Sequence, residues 1–236
     1  MRVATFNCCH GTMGADTDTD LERMIAACAS LEADVLALQE VDRGTRRSGR
    51  VDQAAAVAER LGYRGAYGPA AHVQGGTMGN ALLVRGSLAD VEVLPVPGAL
   101  RLWGRDHRSA LLARARVGDL SLTIAVAHLS IGIVDNVDQE RRVLDALAER
   151  PGPHLLLGDL NRRTAWVEPG TSARGLRLLD DDVPTAPRTR PRIRIDHIAV
   201  AGLATGTAAV VDTGASDHRA LVVEVGPHGP TGATAH

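Results

Sequence analysis

The sequence predicts an α/β protein in which two packed β-sheets carry helices on their outer faces. Three observations point there. Strand-like apolar runs recur from one end to the other, helical patterns are few, and the connections between them are short. A length of 236 residues suits one compact domain.

The elements follow in order. Residues 2–6 form an apolar strand-like run ending in Asn7-Cys8-Cys9-His10-Gly11. Residues 20–31 have helical spacing (Leu21, Met24, Ile25, Cys28, Leu31), with Asp18 or Thr19 as the N-cap. Residues 34–38 read as a short strand ending at Gln39-Glu40, and 52–61 as a second helix closed by Gly62. Residues 81–84 read as a strand after the Gly-rich stretch 75–79. Residues 110–117 and 120–127 flank Gly118-Asp119, a hairpin turn signal, and the second strand delivers His128. An amphipathic helix is expected over 136–149. A buried-strand run at 154–157 leads into Gly158-Asp159-Leu160-Asn161. Late strands at 193–200 and 220–225 bracket Ser216-Asp217-His218. The Pro-, Arg- and Thr-rich stretch 164–192 reads as surface loop. No repeat or linker divides the chain, so the expectation is one domain over 1–226 and a disordered tail over 227–236.

Composition narrows the partners. Net charge is −2, which indicates neither a general nucleic-acid coat nor a polybasic membrane anchor. All 26 basic residues are arginine, so any cationic contact to phosphate is a guanidinium, which grips oxyanions in a bidentate way. Two Trp, two Tyr and one Phe are too few for a base-stacking platform or a lipid-inserting aromatic hairpin. Cys8, Cys9 and Cys28 suit neither a disulfide framework nor a zinc motif, and Cys8 and Cys9 are expected to be packing residues. No signal peptide or membrane-length apolar run is evident, so a cytoplasmic location is the expectation.

The informative feature is where the polar residues sit. Asn7, Glu40, His128, Asp159, Asn161, Asp196 and His218 each lie at or just past the end of an apolar strand-like run. Strand ends can converge on one rim, where a rigid element holds a polar group with little positional error. Carboxylates gathered there repel each other unless a cation is present, and oxygen donors favour magnesium or manganese over zinc. Singly, each has an ordinary structural reading. Glu40 could be a solvated strand terminus and Asp159 with Asn161 an Asx turn. His128 could be a hydrogen-bonded core histidine, Asp196-His197 a surface pair, and Asp217-His218 a turn.

The order of the set carries more than its members. The segments Thr5-Phe6-Asn7, Leu38-Gln39-Glu40-Val41-Asp42-Arg43, Gly79-Asn80-Ala81-Leu82-Leu83, Ala127-His128-Leu129, Gly158-Asp159-Leu160-Asn161, Ile195-Asp196-His197-Ile198 and Ser216-Asp217-His218-Arg219 run through nearly the whole chain. In that order they resemble the endonuclease/exonuclease/phosphatase family, which includes deoxyribonuclease I. Cys8 departs from the aliphatic residue common after the motif Asn, and Phe6 from the usual Trp or Tyr.

The resemblance implies a four-layer sandwich, two mixed β-sheets face to face flanked by helices, with the site at one rim. It also implies roles. Glu40 is the principal metal ligand, with Asn7 a ligand or its supporting partner, and Asp217 a further ligand. Asp159 orients and deprotonates the attacking water. Asn161 and His218 hydrogen-bond the phosphoryl group, Asp196 sets the tautomer of His218, and His128 contacts the phosphate from the opposite flank. In an extended segment Asp159 and Asn161 would face the same side. One or two Mg2+ or Mn2+ ions are implied as cofactor. Arg108 could face the phosphate or be a surface residue, and His10 could line the pocket or serve a loop hydrogen bond.

The expected activity is therefore hydrolysis of a phosphomonoester or phosphodiester by in-line attack of water, on a small-molecule or lipid-like substrate. The alternative is a DNA or RNA nuclease, with Arg101, Arg105, Arg108, Arg162, Arg163 and the arginines from 188 to 194 ringing the site. The remote alternative is a catalytically silent binding module of the same fold. Neither a membrane partner nor an oligomeric state is indicated.

Overall fold

The computed structural model describes residues 1–14, 18–98, 107–179 and 183–227. Among these residues two mixed sheets pack face to face. The first contains β1 (Arg2–Asn7), β2 (Val35–Arg43), β3 (Arg64–Val73), β4 (Gly76–Val84), β11 (Leu203–Thr205), β12 (Ala209–Val211) and β13 (Ala220–Pro227). Its order is β11-β13-β1-β2-β4-β3, with β12 also paired to β13. The second runs β5-β6-β7-β8-β10-β9, from β5 (Ser87–Pro95), β6 (Ser109–Val117), β7 (Leu120–His128), β8 (His154–Asp159), β9 (Arg177–Leu178) and β10 (Asp196–Ala201).

Period-two alternation sorts the strand residues. On β1 and β2, Val3, Val35 and Ala37 meet Ile124, Val126, Leu155, Leu157 and Ile198 of the other sheet. Their neighbours Ala4, Phe6, Leu36 and Leu38 face the other way, toward α1 (Leu21–Ser30) and α2 (Gln53–Leu61). Ala125, Ala127 and Leu156 face α3 (Ile133–Ala148) and α4 (Thr164–Ser172). The result is four layers: helices, sheet, sheet, helices. Each fully buried Leu or Val in these seams contributes about 1.5–3 kcal/mol.

The helix ends have local causes. Asp20 caps α1 by accepting from Arg23 N at 2.9 Å, so the cap is Asp20 and not Asp18 or Thr19. Asp52 caps α2, and Gly62 closes it at φ 72°. The predicted surface loop over 164–192 contains α4 and β9 instead. Proline at 169 and glycine at 170 obscured a helix there that is held by packing of Val167. Strands β3 and β5 were not expected: β3 is rich in Gly and Ala, and β5 is mostly exposed. Strand β13 runs to Pro227, a residue expected in the tail, and 228–236 lie outside the described residues. Arg101 and Arg105 lie outside them too. Among the described residues no helix is long and apolar enough to cross a membrane.

Candidate active site

The inward face of the sandwich continues past its apolar core into polar residues. On β1 the inward series Val3, Thr5 is followed by Asn7. On β7 the series Ile124, Val126 ends in His128, and on β8 Leu155, Leu157 ends in Asp159. On β10, read backwards, Val200 and Ile198 lead to Asp196. The register aligns three of these directly: His128 pairs with Asp159 across the parallel β7–β8 ladder, and Asp196 pairs with Asp159 across the antiparallel β8–β10 ladder. Gly158 permits the close approach, since a Cβ there would sit 1.9 Å from the Ala127 carbonyl oxygen.

Glu40 reaches the same rim by an irregularity. Leu38 faces the helices, so a regular strand would send Glu40 that way as well. A register shift between Leu38 and Val41, with Glu40 at φ 57°, turns it toward Asn7. Glu40 is thus inside β2 and not at a strand end. The Asn7 amide then donates to both carboxylates, at 3.1 Å to Glu40 Oε1 and 3.0 Å to Asp159 Oδ2. Asn7 Oδ1 accepts from Cys9 N at 3.1 Å, so the amide presents nitrogen, not oxygen, to the carboxylates.

Beyond Asn7 the chain makes a single 3-10 turn, Cys9–Gly11, with Cys9 at φ 43° and His10 at φ 45°. Gln53 at the start of α2 clamps this turn: its amide nitrogen donates to the His10 carbonyl at 2.8 Å, and its oxygen accepts from Asp42 N at 2.8 Å. Asp42 is fully buried in a bidentate pair with Arg47 at 2.7 and 2.8 Å, and it also accepts from Thr45. It pins the loop after β2, so the motif aspartate next to Glu40 is structural. Asn80 is structural as well, tying the sheets together by donating to the Ser109 carbonyl at 2.7 Å.

Ser216 Oγ donates to the Asn7 carbonyl at 2.7 Å and docks the loop that carries Asp217 and His218. His218 Nδ1 is 2.9 Å from Asp196 Oδ2, which leaves Nε2 facing Asp159 Oδ2 at 3.8 Å. His128 Nε2 approaches the same oxygen at 3.6 Å. Burial raises the Cys9 thiol, and the Asp217 carboxylate is near enough to add to that effect.

Asn161 departs from expectation. Strand β8 ends at Asp159, and Asn161 adopts φ 52°, so the alternation argument does not apply. A turn brings it back instead: its N–H donates to Asp159 Oδ1 at 2.9 Å, and its amide donates to the Leu129 carbonyl at 2.9 Å. Arg108 is close enough for its charge to act on His128. His10 Nδ1 is 3.8 Å from Glu40 Oε2, too long for a hydrogen bond, and is buried without a hydrogen-bond partner. Cys8 is buried in the core as expected, whereas Cys9 is half-buried at the site. One of the two neighbours thus packs into the core, and the turn after Asn7 places the other at the rim. Cys9 and Gln53 are the site residues that the sequence did not single out. The only signal for either was proximity to Asn7 and to the α2 cap.

Environment separates the titrating groups. Burial and the neighbouring Asp196 carboxylate push Asp159 up to about 7, against the opposing pull of His218 and Asn7. Burial opposes a charge on His218, but the Asp196 and Asp159 carboxylates outweigh it and raise the imidazole to about 10. Burial, with the Arg108 charge, lowers His128 to about 3 and keeps it neutral. Burial also opposes ionisation of Glu40, yet the His10 and His128 imidazoles and the Asn7 amide hold it down at about 2. Burial raises the Cys9 thiol to about 12. The rim therefore holds an ionised Glu40, a cationic His218 and, between them, a carboxyl that titrates near neutrality. Among the described residues, two groups of side chains of metal-ligating type have mutually close donor atoms there, Cys9, His10 and Glu40 in one and Asp159, Asp196 and His218 in the other.

The profile of the endonuclease/exonuclease/phosphatase family matches residues 4–218, from β1 to His218. The chain belongs to this family. Family members generally hydrolyse phosphoesters and generally use a divalent metal. An endonuclease/exonuclease/phosphatase protein from Beutenbergia cavernae superposes with TM-score 0.83 at 25% identity, over 97% of this chain and 72% of that one. The mannosyl-6-phosphatase of Bacteroides thetaiotaomicron superposes at 0.73 and 15% identity, over 96% and 99%. The human Nocturnin catalytic domain, crystallised with sulfate, superposes at 0.69 and 18% identity, over 96% and 94%. These last two likenesses are of fold. A UPF0294 protein of Vibrio vulnificus is 30% identical over 135 residues, 52% of this chain and 46% of the relative. The matched segment thus spans less than half the length of that relative.

Proposed function

We propose that this chain is a divalent-metal-dependent phosphoesterase that hydrolyses a small-molecule or lipid-like phosphoester by in-line attack of water. The observation that carries the reading is the bridge from Glu40 through the Asn7 amide to Asp159, with both histidines turned onto Asp159. That arrangement sets a cation-binding carboxylate beside a buried base.

The donor set fits a cation. Glu40 is ionised and partly exposed and offers carboxylate oxygen, the donor that magnesium and manganese favour. Glu40 and Asp217 would hold Mg2+ or Mn2+, with Asn7 orienting Glu40. When bound, the cation neutralises phosphoryl charge and favours the leaving oxygen. Asp159 accepts the proton of the attacking water, its pKa near the working range of a general base. The Asn161 N–H and the Asn7 amide hold its two oxygens in place. His218, cationic and fixed by Asp196, donates to a phosphoryl oxygen as negative charge builds. His128 is neutral, under the influence of burial and the Arg108 charge, and contacts the phosphoryl group from the other flank.

Two features favour a small or lipid-like phosphoester over a nucleic acid. Net charge is −2. In addition, the segment just after His128 exposes Ile131, Ile133 and Val134, which suits an apolar substituent better than a polyanion.

The test is hydrolysis of bis-p-nitrophenyl phosphate, p-nitrophenyl phosphate, plasmid DNA and RNA with added magnesium or manganese, with Asp159→Ala as control. Metal-dependent turnover that vanishes in the variant supports the reading. Salt-sensitive cleavage confined to the nucleic acids would replace it with a nuclease. Turnover unchanged in Asp159→Ala would remove Asp159 from the mechanism.

A further inference from the structure

The corner around Glu40 carries donors that a hard-cation site does not need. Cys9 Sγ, His10 Nδ1 and a Glu40 carboxylate oxygen all lie within 4.8 Å of one another. Bond lengths of about 2.3 Å to sulfur and 2.0–2.2 Å to nitrogen and oxygen put tetrahedral zinc ligands about 3.5 Å apart, so these atoms can close on one ion with small side-chain adjustments. The backbone is committed to this placement. Cys9 and His10 are consecutive non-glycine residues at positive φ, an arrangement that persists only where the surroundings enforce it. Gln53 supplies that enforcement at the His10 carbonyl, and Asn7 does so at Cys9 N.

Two further facts point to a ligand. His10 Nδ1 is buried yet has no hydrogen-bond partner, a cost that an ion would offset. The Cys9 sulfur is placed by the Thr12 hydroxyl at 3.2 Å. A set of one sulfur, one imidazole nitrogen and carboxylate oxygen suits zinc-class ions and is poor for magnesium, which demands oxygen.

We infer that Cys9, His10 and Glu40 form a binding site for a thiophilic divalent cation of the zinc class. The ion bonds to Cys9 Sγ as the thiol proton passes to solvent, with no change in oxidation state. Because Glu40 is shared, such an ion competes with the magnesium or manganese assigned above to Glu40 and Asp217. The site itself goes beyond the phosphoesterase reading and stands whether or not the protein turns over any phosphoester.

The experiment is a cobalt(II) titration of the full chain, read by sulfur-to-cobalt charge-transfer absorption in the near ultraviolet. The expected result is a stoichiometric band that zinc bleaches and excess magnesium does not. Cys9→Ser abolishes the band, while His10→Asn keeps it with binding weakened by about 10-fold or more. Cys8 and Cys28 are fully buried and serve as the internal background. No band in the wild type, or an equal band in folded Cys9→Ser, overturns the site. Should Cys9→Ser not fold, alkylation of the wild type decides. Zinc, and not magnesium, protects the Cys9 peptide if the site exists, and protects nothing if it does not. Loss of phosphoester turnover alone, with the band intact, overturns the functional reading and leaves the site.

Discussion

The rim of this protein is built in two ways. One half, formed by His128, Asp159 and Asp196, is a regular extension of the core: the residues follow the inward pleat and meet as cross-strand partners. The other half, formed by Cys9, His10 and Glu40, depends on a bulge and on three residues at positive φ. Asn7 joins them, at the end of a regular strand but bonded to both. The regular half draws its precision from the sheet, so its groups can be buried and strongly perturbed. The irregular half must be held by outside contacts, chiefly Gln53. Regular strands thus carry Asp159 and its neighbours, while a bulge and a 3-10 turn carry Glu40, Cys9 and His10.

The largest effect should come from the regular half. Asp159→Asn is expected to lower kcat/KM by about 100- to 10,000-fold, the usual contribution of a general base. The same change should not destabilise the protein at pH 8. A carboxyl raised in the fold contributes stability only at low pH and loses it as pH rises through about 7. A thermal melt at pH 8 that drops several degrees in Asp159→Asn would contradict the burial argument.

Asp196→Asn comes next and gives a pH signature. The raised His218 contributes stability that is fully present below about 6.5 and is lost as pH rises through about 10. Removing its main carboxylate partner should move that loss, and the alkaline limb of the rate profile, down toward the ordinary imidazole range. Melts and kcat/KM measured from pH 6 to 10 in both proteins read this directly, and an unmoved alkaline limb would separate His218 from Asp196.

Glu40→Gln should weaken magnesium or manganese by about 10- to 100-fold, seen as a shifted activation curve that high metal partly restores. A curve that does not move would take the cation away from Glu40. Gln53→Ala is the smallest change and the sharpest comparison. It leaves the regular half untouched and frees the His10 carbonyl and Asp42 N–H, at a cost of about 1–3 kcal/mol. Its metal requirement should rise more than its saturated kcat falls. Equal loss in both would mean that the two halves are not independent.

Much of this was legible in the residues. Strand-terminal polar groups at Asn7, His128, Asp159 and Asp196 announced the regular half, because period-two alternation carries an inward series straight into the rim. The order of motifs indicated the family, which the matching profile over 4–218 bears out. Other features were not legible. Strand β3 is rich in Gly and Ala and carries little apolar signal, and β5 leaves most of its length exposed. Helix α4 hides behind Pro169 and is held by packing against the second sheet. Asn161 reached its place by a turn at positive φ and not by the pleat.

By itself, then, the sequence determined the layered α/β architecture, the inward and outward face of each strong strand, and the set of polar residues at the strand ends. Those properties are local, set by alternation and by a few caps and turns. The tertiary structure alone decided that Glu40 turns inward, that Cys9 stands at the rim, and that Gln53 holds His10. Each depends on a backbone conformation that is unfavourable in isolation and is stabilised only by contacts from distant parts of the chain.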